Sequence, residues 1–206
     1  MLPEELNLPQ PGTWTIDPGH TTIGAVARHL MFTKVRGQFR AFEGAIHVAA
    51  QVEDSSATLD IDAASIDTGN ADRDAHLKSP DFLDVERYPK ITFRSTHVER
   101  TGGNTLCVAG DLTIRGVTRS VDLGVTYEGL MPDPWGGTRA GFALEGTIDR
   151  EAFDMTWNVT LETGGVLVSR KIDIEAEVQA VRQAEDMQRG NEAESEVSHQ
   201  GVARTG

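Results

Sequence analysis

The chain has a single cysteine, Cys107, in 206 residues. No disulfide can form within it, and a zinc site built on cysteine pairs is excluded. Basic side chains are scarce: 19 Lys and Arg stand against 32 Asp and Glu, a formal charge of −13. That balance excludes a nucleic-acid binder, which needs clustered cations for the phosphate backbone. It also argues against docking on anionic lipid headgroups. The negative charge is read as a solubility device. No run of about 20 apolar residues occurs, so no integral membrane helix is expected. The start, MLPEELNLPQPG, has neither a basic cluster nor an apolar run, so no secretory signal is read and a cytoplasmic protein is expected. No Gly-x-Ser-x-Gly element, phosphate loop or dinucleotide fingerprint is found.

Three regions are present. Residues 1–11 are a polar, proline-containing lead. Residues 12–182 form the body. Residues 183–206 carry almost no large apolar side chain, cannot offset the entropy of ordering, and are expected to be a disordered acidic tail.

Period-two alternation dominates the body. Leu106, Val108, Leu112 and Ile114 share one parity, against Asp111, Thr113 and Arg115. Val121, Leu123, Val125 and Tyr127 alternate with Asp122, Thr126 and Glu128, and Ile172, Ile174, Ala176 and Val178 with acidic and polar neighbours. Such strands have one wet and one dry face. Turn signals separate them: Gly102-Gly103-Asn104, Arg115-Gly116, Pro132-Asp133-Pro134 and Gly136-Gly137. One short helix interrupts the pattern near residues 70–78. Asn70 caps it, Asp72 and Asp74 fill its first turn, and Leu77, Phe82 and Leu83 give the segment an apolar side. Amphipathic antiparallel strands must bury their dry faces together. A sandwich and a closed barrel both do so, and alternation does not distinguish them. Small residues at dry positions, Ala63, Gly110, Gly146 and Ala176, favour an internal cavity; facing aromatics such as Phe39, Phe93 and Trp157 are the groups that would fill it.

An ordered set of motifs then resembles the YceI-like, or polyisoprenoid-binding, family. It runs through Trp14-Thr15-Ile16-Asp17 and His20, Arg28-His29, Val35-Arg36-Gly37-Gln38-Phe39 and Ser65-Ile66-Asp67-Thr68-Gly69. It continues in Arg73-Asp74-Ala75-His76-Leu77, Asp81-Phe82, Tyr88-Pro89-Lys90-Ile91-Thr92-Phe93, Gly110 to Thr118, and Gly141-Phe142 to Arg150. The resemblance implies an all-β fold, an antiparallel lipocalin-like β-barrel, with an elongated apolar pocket. It implies a long-chain isoprenoid or fatty-acid-like lipid as the partner. Two departures stand out: Asp154 where the family often has Gly, and Val168-Ser169-Arg170-Lys171 in place of a Gly-Asp-containing turn. Both are expected near the barrel mouth.

Alternation and resemblance together nominate Phe32, Phe39, Phe42, Ile91, Phe93 and Trp157 as pocket wall or entrance, with His29 as a polar candidate. No cofactor, metal site or catalytic residue is expected. The six histidines are scattered without ligand spacing. His20 and His29 are read as loop-bonding residues, His76 as a surface pair with Asp72 four residues back, His47 as facing water, and His97 as sharing the parity of Ile91, Phe93 and Ser95. The function expected is lipid binding, sequestration or transport. An enzyme acting on a lipophilic molecule in the same barrel and a packed interaction module are the rivals. A homodimer is compatible with any of these.

Overall fold

The computed structural model describes residues 9–30, 32–134, 137–160 and 165–182. The expected tail, 183–206, and most of the N-terminal lead lie outside them. The strands are β1 (Gly12–Ile16), β2 (Thr22–His29), β3 (Thr33–Phe39), β4 (Phe42–Val48), β5 (Ser56–Asp62) and β6 (Ile66–Asp67). After helix α1 (Ala71–Lys78) come β7 (Lys90–Arg100), β8 (Thr105–Ile114), β9 (Val117–Pro132), β10 (Thr138–Asp149) and β11 (Lys171–Arg182). Neighbours pair antiparallel in the order β1-β4-β5-β7-β8-β9-β10-β11, and β11 pairs back onto β1 through Trp14–Arg182, Thr15–Val181 and Ile16–Ala180. The result is a closed eight-stranded barrel. Closure gives each strand of the ring a neighbour on both sides, and the interior takes one side-chain parity from every strand.

Alternation translates directly into burial. Along β8, Val108, Gly110, Leu112 and Ile114 are buried while Asp111 is exposed. The β8–β9 hairpin turns on two residues, Arg115 (φ 52°) and Gly116 (φ 73°), both in the left-handed region that this mirror-image turn requires. Arg115 is held there by its side chain: Nη1 donates to the carbonyls of Phe82 at 2.8 Å and Asp154 at 3.1 Å.

A β-bulge between Ser95 and His97 shifts the register of β7 against β8. The extra residue reverses parity beyond it. Val98 is therefore buried and His97 exposed, which corrects the expectation that His97 shares the face of Ile91 and Phe93. His47 is exposed, as its parity predicts.

One end of the barrel is filled by Trp14, Tyr127, Ala140 and Ala180. Ala140 and Ala180 are a cross-strand pair with no exposed surface, small enough to admit the two large rings. Burial there pushes the Tyr127 phenol up to about 12.

At the other end β2 and β3 run on as a hairpin. β3 is met on its far side by only the two residues of β6, through Gln38–Asp67 and Phe39–Ile66. α1 completes the wall beyond them: Asp72, Arg73, His76 and Leu77 face the interior. Its first turn is secured as the sequence predicts, with Asn70 accepting from the Arg73 amide at 2.9 Å.

Candidate functional site: an apolar cavity with a polar mouth

The barrel encloses a cavity of about 670 Å³. Its walls are the dry faces of the strands: Ile91 and Phe93 from β7, Leu112 and Ile114 from β8, Leu123 and Val125 from β9, and Phe142, Leu144 and Ile148 from β10. Small residues do not create this space in the simple way their positions suggest. The room over Gly110 is taken by the Phe93 ring, since a Cβ there would lie 2.5 Å from Phe93 Cε2. The room over Gly146 is taken by Leu123, whose Cδ2 would lie 2.6 Å away. These two glycines let a large neighbour lie flat against the wall. Ala176 does line the cavity, together with Ala25, Ala27 and Gly37 of the β2–β3 hairpin.

Charged groups gather at the α1 end, while Ser55, Ser56 and Thr58 line the cavity at the start of β5. Arg28, His29, Asp72 and Arg73 both line the cavity and are exposed, so the cavity meets solvent there. This end is the mouth. It is built from α1 and the segments flanking the short helix Arg150–Phe153. Asn158 pins one of these segments: its Oδ1 accepts from the Val168 amide at 3.1 Å and its Nδ2 donates to the Val168 carbonyl at 2.8 Å. The neighbouring Trp157 is thereby set against α1. The His76 ring meets it edge-on at 4.6 Å between centroids and meets Phe82 edge-on at 5.0 Å. These are favourable aromatic geometries, and they seal one side of the mouth. His76 Nε2 lies 2.9 Å from Asp81 Oδ2, so its carboxylate partner is Asp81 and not the expected Asp72. The loop after α1 turns back over the helix end, and it brings Asp81 closer than helical spacing does.

Of the nominated residues, Phe39, Ile91, Phe93, Trp157 and His29 line the cavity. Phe42 packs half-buried against the core without reaching the cavity wall. Phe32 sits in the turn between β2 and β3, where alternation no longer governs direction, and is 85% exposed. His20 bonds the Asp17 carboxylate at 2.9 Å, away from the cavity. His29 pairs through its backbone with Thr33 and Val168. Asp154 adopts the left-handed conformation (φ 61°) that a glycine takes readily and aspartate tolerates. Ser169 is buried, accepting from the Arg28 amide at 2.9 Å and donating to the Lys171 carbonyl at 2.8 Å.

Arg150, outside the nominated set, lines the cavity at 2% exposure. Its Nε donates to the Ser169 carbonyl at 3.0 Å and its Nη1 to the Met155 carbonyl. Burial pulls its pKa down from the ordinary arginine value, opposed by the nearby Glu151 and Asp149 carboxylates. The available signal was parity: Ile148 faces in, Asp149 out, and Arg150 in again.

Among the described residues no group of three His, Cys, Asp or Glu gathers to hold a metal, and no helix is long and apolar enough to cross a membrane.

Comparison with known proteins agrees with this architecture. The YceI-like domain model matches residues 14–180. A UPF0312 protein of Pseudomonas putida is 36% identical over 165 residues, 80% of this chain and 82% of its own length. Burkholderia cenocepacia BcnA superposes with a TM-score of 0.69 at 25% identity, over 80% of this chain and 98% of its own. A polyisoprenoid-binding domain from Saccharophagus degradans, at 14% identity, shares the fold with a TM-score of 0.64 over 84% of this chain and 100% of its own. The chain belongs to the YceI-like domain family.

Proposed function

We propose that this YceI-like barrel binds one long-chain isoprenoid or fatty-acid-like lipid, shields it from water, and carries or sequesters it. The observation that carries the reading is the apolar cavity of about 670 Å³ with its charged lining groups gathered at one end. Small-molecule pockets span about 300–1,000 Å³ and are mostly apolar with a few placed polar groups. At about 0.8 kcal/mol per buried CH₂, a chain of roughly 15 carbons has a gross driving force near 12 kcal/mol. Ordering a flexible chain and losing its overall motion offset a large share of that. The barrel limits the cost on the protein side, because its wall is already assembled from paired strands. The fold shared with the S. degradans polyisoprenoid-binding domain supports the same ligand class.

The test is extraction of the purified full chain with organic solvent, followed by mass spectrometry. A stoichiometric prenyl or acyl lipid is the expected result. A substrate and product mixture would replace the carrier reading with catalysis in the barrel. An empty protein that also takes up no added prenyl or acyl lipid would leave a structural module.

A further inference from the structure

Arg150 has more hydrogen-bonding capacity than the protein uses. Arg150 lines the cavity at 2% exposure. Nε and Nη1 are spent on two neutral carbonyls, those of Ser169 and Met155. Nη2 is buried and has no hydrogen-bond partner among the described residues. No described carboxylate lies within ion-pair distance of this guanidinium. The adjacent Asp149 is held outside by Arg170, whose Nε donates to both carboxylate oxygens at 2.9 and 2.8 Å, and Glu151 pairs with Arg170 at 3.3 Å. A buried cation is costly unless a counter-charge and full hydrogen bonding accompany it. Among the described residues Nη2 has neither.

The surroundings have the same sign. The charged and titratable residues lining the cavity are Arg28, Arg73, Arg150, His29 and His76 against a single carboxylate, Asp72. They do so in a chain whose formal charge is −13. A local excess of cations at one end of an apolar cavity, in an acidic protein, is complementary to a negatively charged group entering with the ligand. The forked guanidinium suits the oxygens of a phosphate or carboxylate.

We infer that Arg150 receives an oxyanion, a phosphate or a carboxylate, at the polar end of the bound lipid. The headgroup then lies inside the mouth, with Nη2 donating to it and the chain running toward the Trp14 end. This inference rests on the lipid-carrier reading above.

Three chain-matched probes test it on the delipidated full chain: geranylgeranyl phosphate, geranylgeranoic acid and geranylgeraniol. At least one anion should bind ten-fold or more tighter than the alcohol, and the tighter of the two identifies the headgroup source. Arg150→Gln should bring that ratio close to one, with folding checked by circular dichroism. Arg150→Lys should retain part of the preference. A second measurement needs no variant: in a crystal of the wild-type complex with the preferred anion, an oxyanion oxygen should lie within hydrogen-bond distance of Arg150 Nη2. Equal or tighter binding of the alcohol by the wild type overturns the inference and leaves the carrier reading standing. So does a folded Arg150→Gln variant that keeps the full preference, or an oxyanion seated away from Arg150. Failure of all three probes to bind overturns the carrier reading itself.

Discussion

Gly110→Ala should damage this barrel through Phe93, and the damage can be measured as a coupling. A Cβ at position 110 would lie 2.5 Å from Phe93 Cε2 and 2.7 Å from the Arg94 carbonyl oxygen. The ring is 8% exposed and forms part of the cavity wall, so it has one direction in which to yield, into the cavity. The carbonyl belongs to β7 and yields little. Overpacking of this kind costs about 1–3 kcal/mol. For a domain of this size that is a fall in Tm of about 2–12 °C. Phe93→Ala alone costs about 3–5 kcal/mol in a packed core. The lower end is expected here, because one side of the ring already borders open space. In the Phe93→Ala background, Gly110→Ala meets only the carbonyl, so the double variant should be more stable than the sum of the singles by about 1 kcal/mol or more. Independent sites add within about 0.3–0.5 kcal/mol. Urea denaturation of the four proteins gives the cycle. Mass spectrometry of retained lipid should follow it: occupancy falls in Gly110→Ala, where the ring is pushed inward, and recovers in part in the double variant. Additive stabilities, or a Gly110→Ala protein indistinguishable from wild type, would refute the packing argument.

Asp17 lies at the corner between β1 and β2 and is bonded by Arg139, His20 and the Gly19 amide, which hold its carboxyl at about 2 rather than 3.8. A lowered folded-state pKa stabilises above the unfolded value and loses its effect as pH falls from about 4 to 2. Asp17→Asn should therefore cost about 1–2 kcal/mol near neutral pH, after discounting for partial exposure, and thermal melts should show the gap closing toward about pH 2. Arg94→Asp replaces an outward guanidinium that pairs with Asp60 by a second carboxylate beside it. It should cost about 1 kcal/mol in urea denaturation and leave lipid occupancy unchanged, because neighbours on one strand face opposite sides. Phe32→Ser removes a ring that is 85% exposed and should move stability by no more than about 0.5 kcal/mol in the same assay.

The dry faces were legible because each strand repeats the same two-residue rule. Leu112 and Ile114 face inward for the reason that Leu123 and Val125 do, and any one strand can be read alone. The rule fails where one extra residue enters. Nothing in Ser95-Thr96-His97 announces the bulge, because the cause lies in the pairing with β8 rather than in the residues themselves. Closure is of the same kind. Trp14 to Ile16 meet Ala180 to Arg182 across nearly the whole length of the body, and a sandwich would bury those dry faces equally well. Only the resemblance, an ordered set of motifs spread along the chain, distinguishes a barrel from a sandwich at the level of sequence.

The two parts of the candidate site were unequally readable, and the reason is physical. The wall is periodic, so Phe39, Ile91 and Phe93 could be placed from parity. The mouth is made by turns and short helices, where direction depends on a few specific bonds. Asn158 against Val168 sets Trp157, the chain reversal after α1 gives His76 to Asp81 instead of Asp72, and a two-residue turn lets Arg115 bind Phe82 and Asp154 together. None of these contacts has a period. Arg150 is the exception, because it combines both signals. It follows Ile148 at inward parity and it carries a charge that the inside of a barrel does not tolerate without a partner. A dry-parity cation at a strand end is visible in sequence as a conflict between pattern and chemistry. In this fold such a conflict marks the place where the apolar wall stops and polar recognition begins.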